Sequence, residues 1–169
     1  MKPTLIFDLE GDGLQPTKIH ILSWQVEGEK KIHSTASYEV MRRLLKDAGR
    51  LVGHNIILFD VPVLERILGI SIDAELVDTL GISWYLYPKR IQHGLEWWGE
   101  DFGVPKPKID DWEGLDYEEY KHRCEEDVRI TYRLWEKQKR DLFNLYEGNT
   151  YSRLVRYLSF KLGCVRLQE

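Results

Sequence analysis

Three short stretches of this sequence set a carboxylate among neighbours that could put it to chemical use. Asp8-Leu9-Glu10 closes an apolar run, Asp60 ends His54-Asn55-Ile56-Ile57-Leu58-Phe59-Asp60, and Asp127 ends His122-Arg123-Cys124-Glu125-Glu126-Asp127. Residues two apart on a strand point the same way, so Asp8 and Glu10 would lie side by side. Two like charges that close are costly unless a cation neutralises them, and carboxylate oxygens suit Mg²⁺ or Mn²⁺ rather than zinc. Taken singly, each stretch also has an ordinary structural use. Asp8 and Glu10 fit a solvated strand end, Asp60 fits the N-cap of a helix, and Asp127 fits a salt-bridged helix face beside Arg123, Glu126, Arg129 and Arg133.

The elements that must position these groups are legible in outline. Thr4 to Leu9 reads as a strand running into the Gly11-Asp12-Gly13 turn, and alternation from Ile19 to Val26 reads as a second. A third run from Lys31 to Tyr38 follows the Glu27-Gly28-Glu29-Lys30 turn, which makes strands one to three an antiparallel meander. Val40, Leu44, Leu45 and Ala48 recur at helical spacing before a short buried strand at Leu51-Val52-Gly53. Pro62 confines the start of the next helix, which carries Phe59, Val63, Leu64, Ile67 and Leu68 on one face, to near Asp60. Leu76-Val77 forms a fifth strand, Asp78 caps a helix from Leu80 to Tyr87, and another helix starts near Gln92. Leu95, Trp98 and Phe102 follow helical spacing there, which places Trp97 and Trp98 in the core rather than on a stacking surface. Residues 104–114, with Pro105 and Pro107, form an irregular loop; long helices follow over Tyr117 to about Leu145 and Tyr151 to Leu162, separated by Gly148-Asn149.

Composition narrows the field. With 169 residues, 43% hydrophobic and 31% charged, the chain fits a single domain spanning 1–169 with a sizeable core. No apolar stretch approaches the roughly 20 residues that cross a bilayer, and the N-terminus lacks a secretory h-region, so a cytoplasmic protein with no membrane partner is expected. Cys124 and Cys164 are distant and have no C-x-x-C companion, which excludes a disulfide framework or a zinc site. A net charge of −4 repels a polyanion at long range, which argues against a nucleic-acid coat protein. Bound divalent cations would invert that potential locally.

Together, in this order, the three stretches resemble the three motifs of the DEDD (DnaQ-like) 3′→5′ exonucleases, over roughly residues 4 to 140. Phe7-Asp8-Leu9-Glu10 with Gly11-Asp12-Gly13-Leu14 looks like the first motif, His54-Asn55 through Phe59-Asp60 like the second, and His122-x-x-x-x-Asp127 like the third motif of the histidine subclass. His54-Asn55-x-x-x-Phe59-Asp60-Val61-Pro62, Val77-Asp78-Thr79-Leu80 and His93-Gly94-Leu95-Glu96 are most similar to the proofreading domains of phage polymerases related to polymerase I. Those domains place a tyrosine four residues before the last aspartate, where this chain has Arg123.

The resemblance implies an α/β ribonuclease H-like fold, a central mixed five-stranded sheet flanked by helices. It implies two divalent cations, Mg²⁺ or Mn²⁺, held by Asp8, Glu10, Asp60 and Asp127, with His122 as the general base in hydrolysis of a terminal phosphodiester to a nucleoside 5′-monophosphate. Backbone at Gly11 and the Leu14, Asn55 and Phe59 side chains would contact the terminal nucleotides, Phe59 fitting a core role equally well. Lys89, Arg90, Lys106 and Lys108 are candidate phosphate contacts. On one continuous helix His122 and Asp127 would lie about 140° apart, whereas Tyr120 and Asp127 would share a face, so Tyr120 rivals His122. An imidazole accepts a proton near neutrality and a phenol does not, which favours His122. The expected partner is a single-stranded or frayed 3′ end, DNA before RNA, with a separate DNA polymerase as a further partner and the host cytoplasm as the location if phage-encoded. The alternatives are a 3′→5′ exoribonuclease of the same superfamily and a catalytically silent, polymerase-associated binding subunit.

Overall fold

The computed structural model describes residues 1–104, 114–146 and 151–168. Most of the expected loop at 104–114, with Lys106 and Lys108, the Gly148-Asn149 break and the Cys164 side chain lie outside the described residues. Five strands, β1 (Thr4–Gly11), β2 (Ile19–Val26), β3 (Ile32–Thr35), β4 (Arg50–Gly53) and β5 (Glu75–Asp78), form one sheet in the order β3-β2-β1-β4-β5. β1 to β3 are antiparallel neighbours, while β4 and β5 run parallel to β1. This is the mixed α/β sheet of the ribonuclease H-like fold.

The helices are α1 (Tyr38–Asp47), α2 (Val61–Leu68), α3 (Thr79–Leu86), α4 (Leu95–Phe102), α5 (Tyr117–Tyr146) and α6 (Tyr151–Gln168). β3 is shorter than the alternation suggested, because the Ser37 hydroxyl accepts a hydrogen bond from the Val40 N–H and starts α1. α4 begins at Leu95 rather than near Gln92, with Gly94 as its N-cap. Trp98 packs in the core at 3% exposure, but Trp97 is 40% exposed; adjacent helical residues lie about 100° apart, so the face that buries one turns the other outward.

Alternation along β1 divides the core. Leu5, Phe7 and Leu9 face a cluster with Met41, Leu45, Val61 and Leu64 from α1 and α2. Ile6 faces the opposite layer, with Val128, Trp135 and Leu142 of α5 and Val155 of α6. Burial on both faces explains why Leu5-Ile6-Phe7 reads as a continuous apolar run. On α5, Cys124, Asp127, Val128, Thr131, Trp135, Gln138 and Leu142 recur every three to four residues and are all buried.

Candidate active site

The acidic site forms where β1 outruns its parallel neighbour. β4 pairs with β1 only from Thr4 to Ile6, so Asp8 to Gly11 extend beyond the last β4 pairing, at the carboxyl ends of the parallel strands where open α/β sheets leave a crevice. Asp8 and Glu10 continue the face of Ile6 toward α5, which brings Asp127 against them. Carboxylate oxygens of Asp8, Glu10 and Asp127 all lie within 4.8 Å of one another. Asp127 is 3% exposed, so the solvated, salt-bridged face that its neighbours suggest is not where it lies. The cleft is lined by Asp8, Glu10, Asp60 and Asp127 together with His54, Asn55, Phe59 and Arg123.

Asp60 reaches the cleft by a different route. Ile56–Asp60 forms a single π-helical turn, closed by the Val61 N–H on the Ile56 carbonyl, and runs straight into α2. Such turns insert one extra residue and re-aim side chains, often at functional sites. Asp60 occupies the N-cap position of α2, as its place before Pro62 suggests, but its side chain makes no cap hydrogen bond there, so its carboxylate is not used for capping. It is buried instead, and it lines the cleft with Asp8, Leu9 and Glu10. Burial first, then the nearby charges of Asp78 and Glu10, holds the Asp60 carboxyl well above the ordinary carboxylate range.

Asp78 supports this arrangement from the end of β5. Its carboxylate accepts the N–H groups of Asn55 at 2.9 Å, Ile57 at 3.1 Å and, as the expected N-cap of α3, Leu80 at 3.0 Å. Asn55 thereby keeps its left-handed backbone (φ 63°) at the entry to the π-helical turn. His54 is held between Thr79 Oγ1 and the His93 carbonyl, each at 2.9 Å, which links the His54-Asn55 and His93-Gly94 stretches.

A larger recess of about 840 Å³ adjoins the acids and is lined by Leu9 to Leu14, His20, Phe59 and Tyr120. Its floor is the turn after Glu10, where Asp12 accepts hydrogen bonds from the Thr17 hydroxyl and the backbone N–H groups of Thr17 and Lys18. The Thr17 hydroxyl, with those backbone groups, lowers the Asp12 carboxyl to about 2. Leu14 is 94% exposed on the rim. Phe59 packs partly on the core and also lines both recesses, combining the two roles that the sequence left open. Tyr120 stacks on His20 with ring centroids 4.4 Å apart. His122 is exposed on continuous α5 and is not among the residues lining either recess.

Arg123, His20 and the bracing role of Asp78 were not anticipated as parts of this site. In the sequence Arg123 reads as the residue in the place of a tyrosine and as a charged neighbour of Asp127, and His20 carries no motif. The signal for Asp78 lay in its position directly after a buried strand. Lys89 lines neither recess, and Arg90 lies over the Trp98 ring at 3.7 Å and pairs with Asp101, which gives it a packing role away from the acids.

The donor set fits a hard divalent cation, because all three clustered ligand atoms are carboxylate oxygens. The sulfur of Cys124 lies 3.5 Å from Asp8 Oδ2, but burial and the charge of Asp8 push its thiol well above the ordinary value, which keeps it protonated and a poor ligand.

Fold and site together define an α/β protein of ribonuclease H-like architecture with a buried carboxylate cluster at the open end of its sheet. Among solved structures, the chain is similar to NrnC from Brucella melitensis bound to pGG, with a TM-score of 0.71 and 17% identity, covering 98% of this chain and 85% of that one. NrnC with bound Mg²⁺ matches at a TM-score of 0.70 and 19% identity over the same shares. The catalytic core of RRP6 from Trypanosoma brucei matches at 0.63 and 18% identity, covering 92% of this chain and 45% of that one. The family B DNA polymerase from Pyrobaculum calidifontis matches at 0.59 and 20% identity, covering 81% and 24%. At these identities the likeness is one of fold. No protein-family model and no curated protein matches the sequence. Among the described residues no helix is long and apolar enough to cross a membrane.

Proposed function

We propose that this protein is a metal-dependent 3′→5′ exonuclease that hydrolyses single-stranded or frayed nucleic-acid ends to nucleoside 5′-monophosphates. The observation that carries the reading is the convergence of Asp8, Glu10 and Asp127 oxygens within 4.8 Å, with Asp60 in the same cleft. Those four carboxylates are the proposed ligands for two Mg²⁺ or Mn²⁺ ions. Bound there, the ions would supply Lewis acidity to activate water and to offset charge at phosphorus and the departing oxygen. The fold shared with NrnC, solved with bound Mg²⁺ and bound to pGG, supports the same reading.

The chain's own residues do the rest. The recess between Leu14, Phe59 and the His20–Tyr120 stack takes the terminal nucleotide, with Gly11 presenting backbone and Asn55 meeting the adjacent strand. Stacking on aromatic and apolar surfaces tolerates any base. His122 is the proposed proton acceptor; it lies exposed on α5 outside both recesses, so this role requires its imidazole to turn toward the cleft when substrate is bound. Tyr120, which lines the recess beside Glu10, orients the attacking water by its hydroxyl.

The sugar preference separates two versions of the activity. Similarity to NrnC bound to pGG over 98% of this chain favours a short oligonucleotide, while the family B polymerase likeness is compatible with a DNA end presented by a separate polymerase. Turnover of matched DNA and RNA oligonucleotides of two to ten bases decides between them. Asp8→Ala protein that digests a labelled single strand with Mg²⁺ as fast as the wild type would overturn the catalytic assignment.

A further inference from the structure

Arg123 lies inside the cleft it was not expected to enter. Its Nε stands 2.9 Å from Glu10 Oε1, and both side chains are only 11% exposed. It lines the cleft with Asp8, Asp60 and Asp127. It precedes Asp127 by four residues, one turn of α5, so the two side chains share the face that meets β1. An arginine this enclosed is retained at a cost in desolvation, which its pairing with Glu10 offsets.

We propose that Arg123 is a positioning residue and a permanent positive member of the cation site; this rests on the exonuclease reading above. By pairing with Glu10 it fixes that side chain on the cleft wall beside Asp8 and Asp127. Its charge also sets the electrostatics of the loaded site. Four ionised carboxylates beside one guanidinium leave three negative charges, and two divalent cations turn that into one net positive charge. A single positive charge complements one phosphodiester; without Arg123 the loaded site would be neutral. Arg123 therefore weakens cation binding and strengthens binding of the substrate phosphate, and the two effects are measurable apart.

The test titrates Mn²⁺ calorimetrically into metal-free wild type, Arg123→Gln, Arg123→Lys and Asp8→Ala, alongside kcat and KM on a labelled single strand. Arg123→Gln should bind Mn²⁺ about tenfold more tightly and raise KM about tenfold, the scale of one nearby charge partly screened. Arg123→Lys keeps the charge and should restore wild-type Mn²⁺ affinity. Unchanged or weaker Mn²⁺ binding by folded Arg123→Gln overturns the proposal. Should Arg123→Gln fail to fold, Arg123→Lys decides: wild-type Mn²⁺ affinity with KM within about threefold supports the charge role, and a changed affinity overturns it. Wild type that binds no Mn²⁺, or Asp8→Ala that binds it equally well, overturns the metal-site reading itself rather than the role of Arg123.

Discussion

Asp78 at the end of β5 accepts the backbone N–H of Asn55 at 2.9 Å, across 23 residues of chain, and so holds the start of the turn that delivers Asp60 to the cleft. The same carboxylate serves Ile57 and Leu80, so one buried side chain braces β5, the π-helical turn and α3 together. Replacing it by alanine would strand three N–H groups, all of them in buried or half-buried surroundings. Asp78→Ala should cost about 2 to 4 kcal/mol in urea unfolding, combining a lost cap with unsatisfied donors. Asp78→Asn, which keeps an acceptor oxygen, should cost less than half as much.

The proton acceptor is separable from the residue that positions water. His122→Ala should lower kcat by roughly 10², the scale of losing a general base, with KM little changed. Tyr120→Phe should have a smaller effect, within about tenfold, because the ring still stacks on His20. Wild-type kcat in His122→Ala together with inactive Tyr120→Phe would move the base role to Tyr120.

Asp60 should leave a signature in the pH dependence of stability. Its carboxyl is raised well above 3.8 in the folded protein, mainly by burial, so the folded state binds this proton more tightly than the unfolded chain. That contribution is fully present below 3.8 and is lost as pH rises through the folded value. In EDTA, therefore, the melting temperature of wild type should fall relative to that of Asp60→Asn as pH is raised through this interval. Saturating Mg²⁺ should narrow the difference at neutral pH by giving the ionised carboxylate a counter-charge.

Gly53 ends β4 under the π-helical turn with no room for a side chain. A Cβ there would clash with Ile56 Cγ2 and sit 3.1 Å from the Phe7 carbonyl oxygen. Gly53→Ala should destabilise the protein by about 1 to 3 kcal/mol through overpacking. Because Ile56 opens the turn that carries Asp60, activity should fall more than the loss of folded protein explains. Comparing kcat with the folded fraction from circular dichroism at one temperature checks this.

Local pattern carried a great deal of this molecule. The apolar run before Asp8, the alternation of β2, the helical spacing along α5 and the capping position of Asp78 each depend on near neighbours, and all were legible from residue order. So was the pairing of Asp8 with Glu10, because a two-residue repeat on a strand sets direction regardless of what lies beyond. What near neighbours cannot carry is which element covers a given face. Asp60 reads as a helix cap and Asp127 as a solvated charge until α5 is laid on β1 and an extra residue in the π-helical turn rotates Asp60 inward; only then does each lose its water. The ion pair of Arg123 with Glu10, 113 positions apart, and the stacking of His20 on Tyr120 exist only through that packing. Sequence alone determined which side chains point together on each element, because backbone periodicity is local; tertiary structure decided which of them meet in a low-dielectric cleft, because burial and electrostatic coupling arise only between elements in contact.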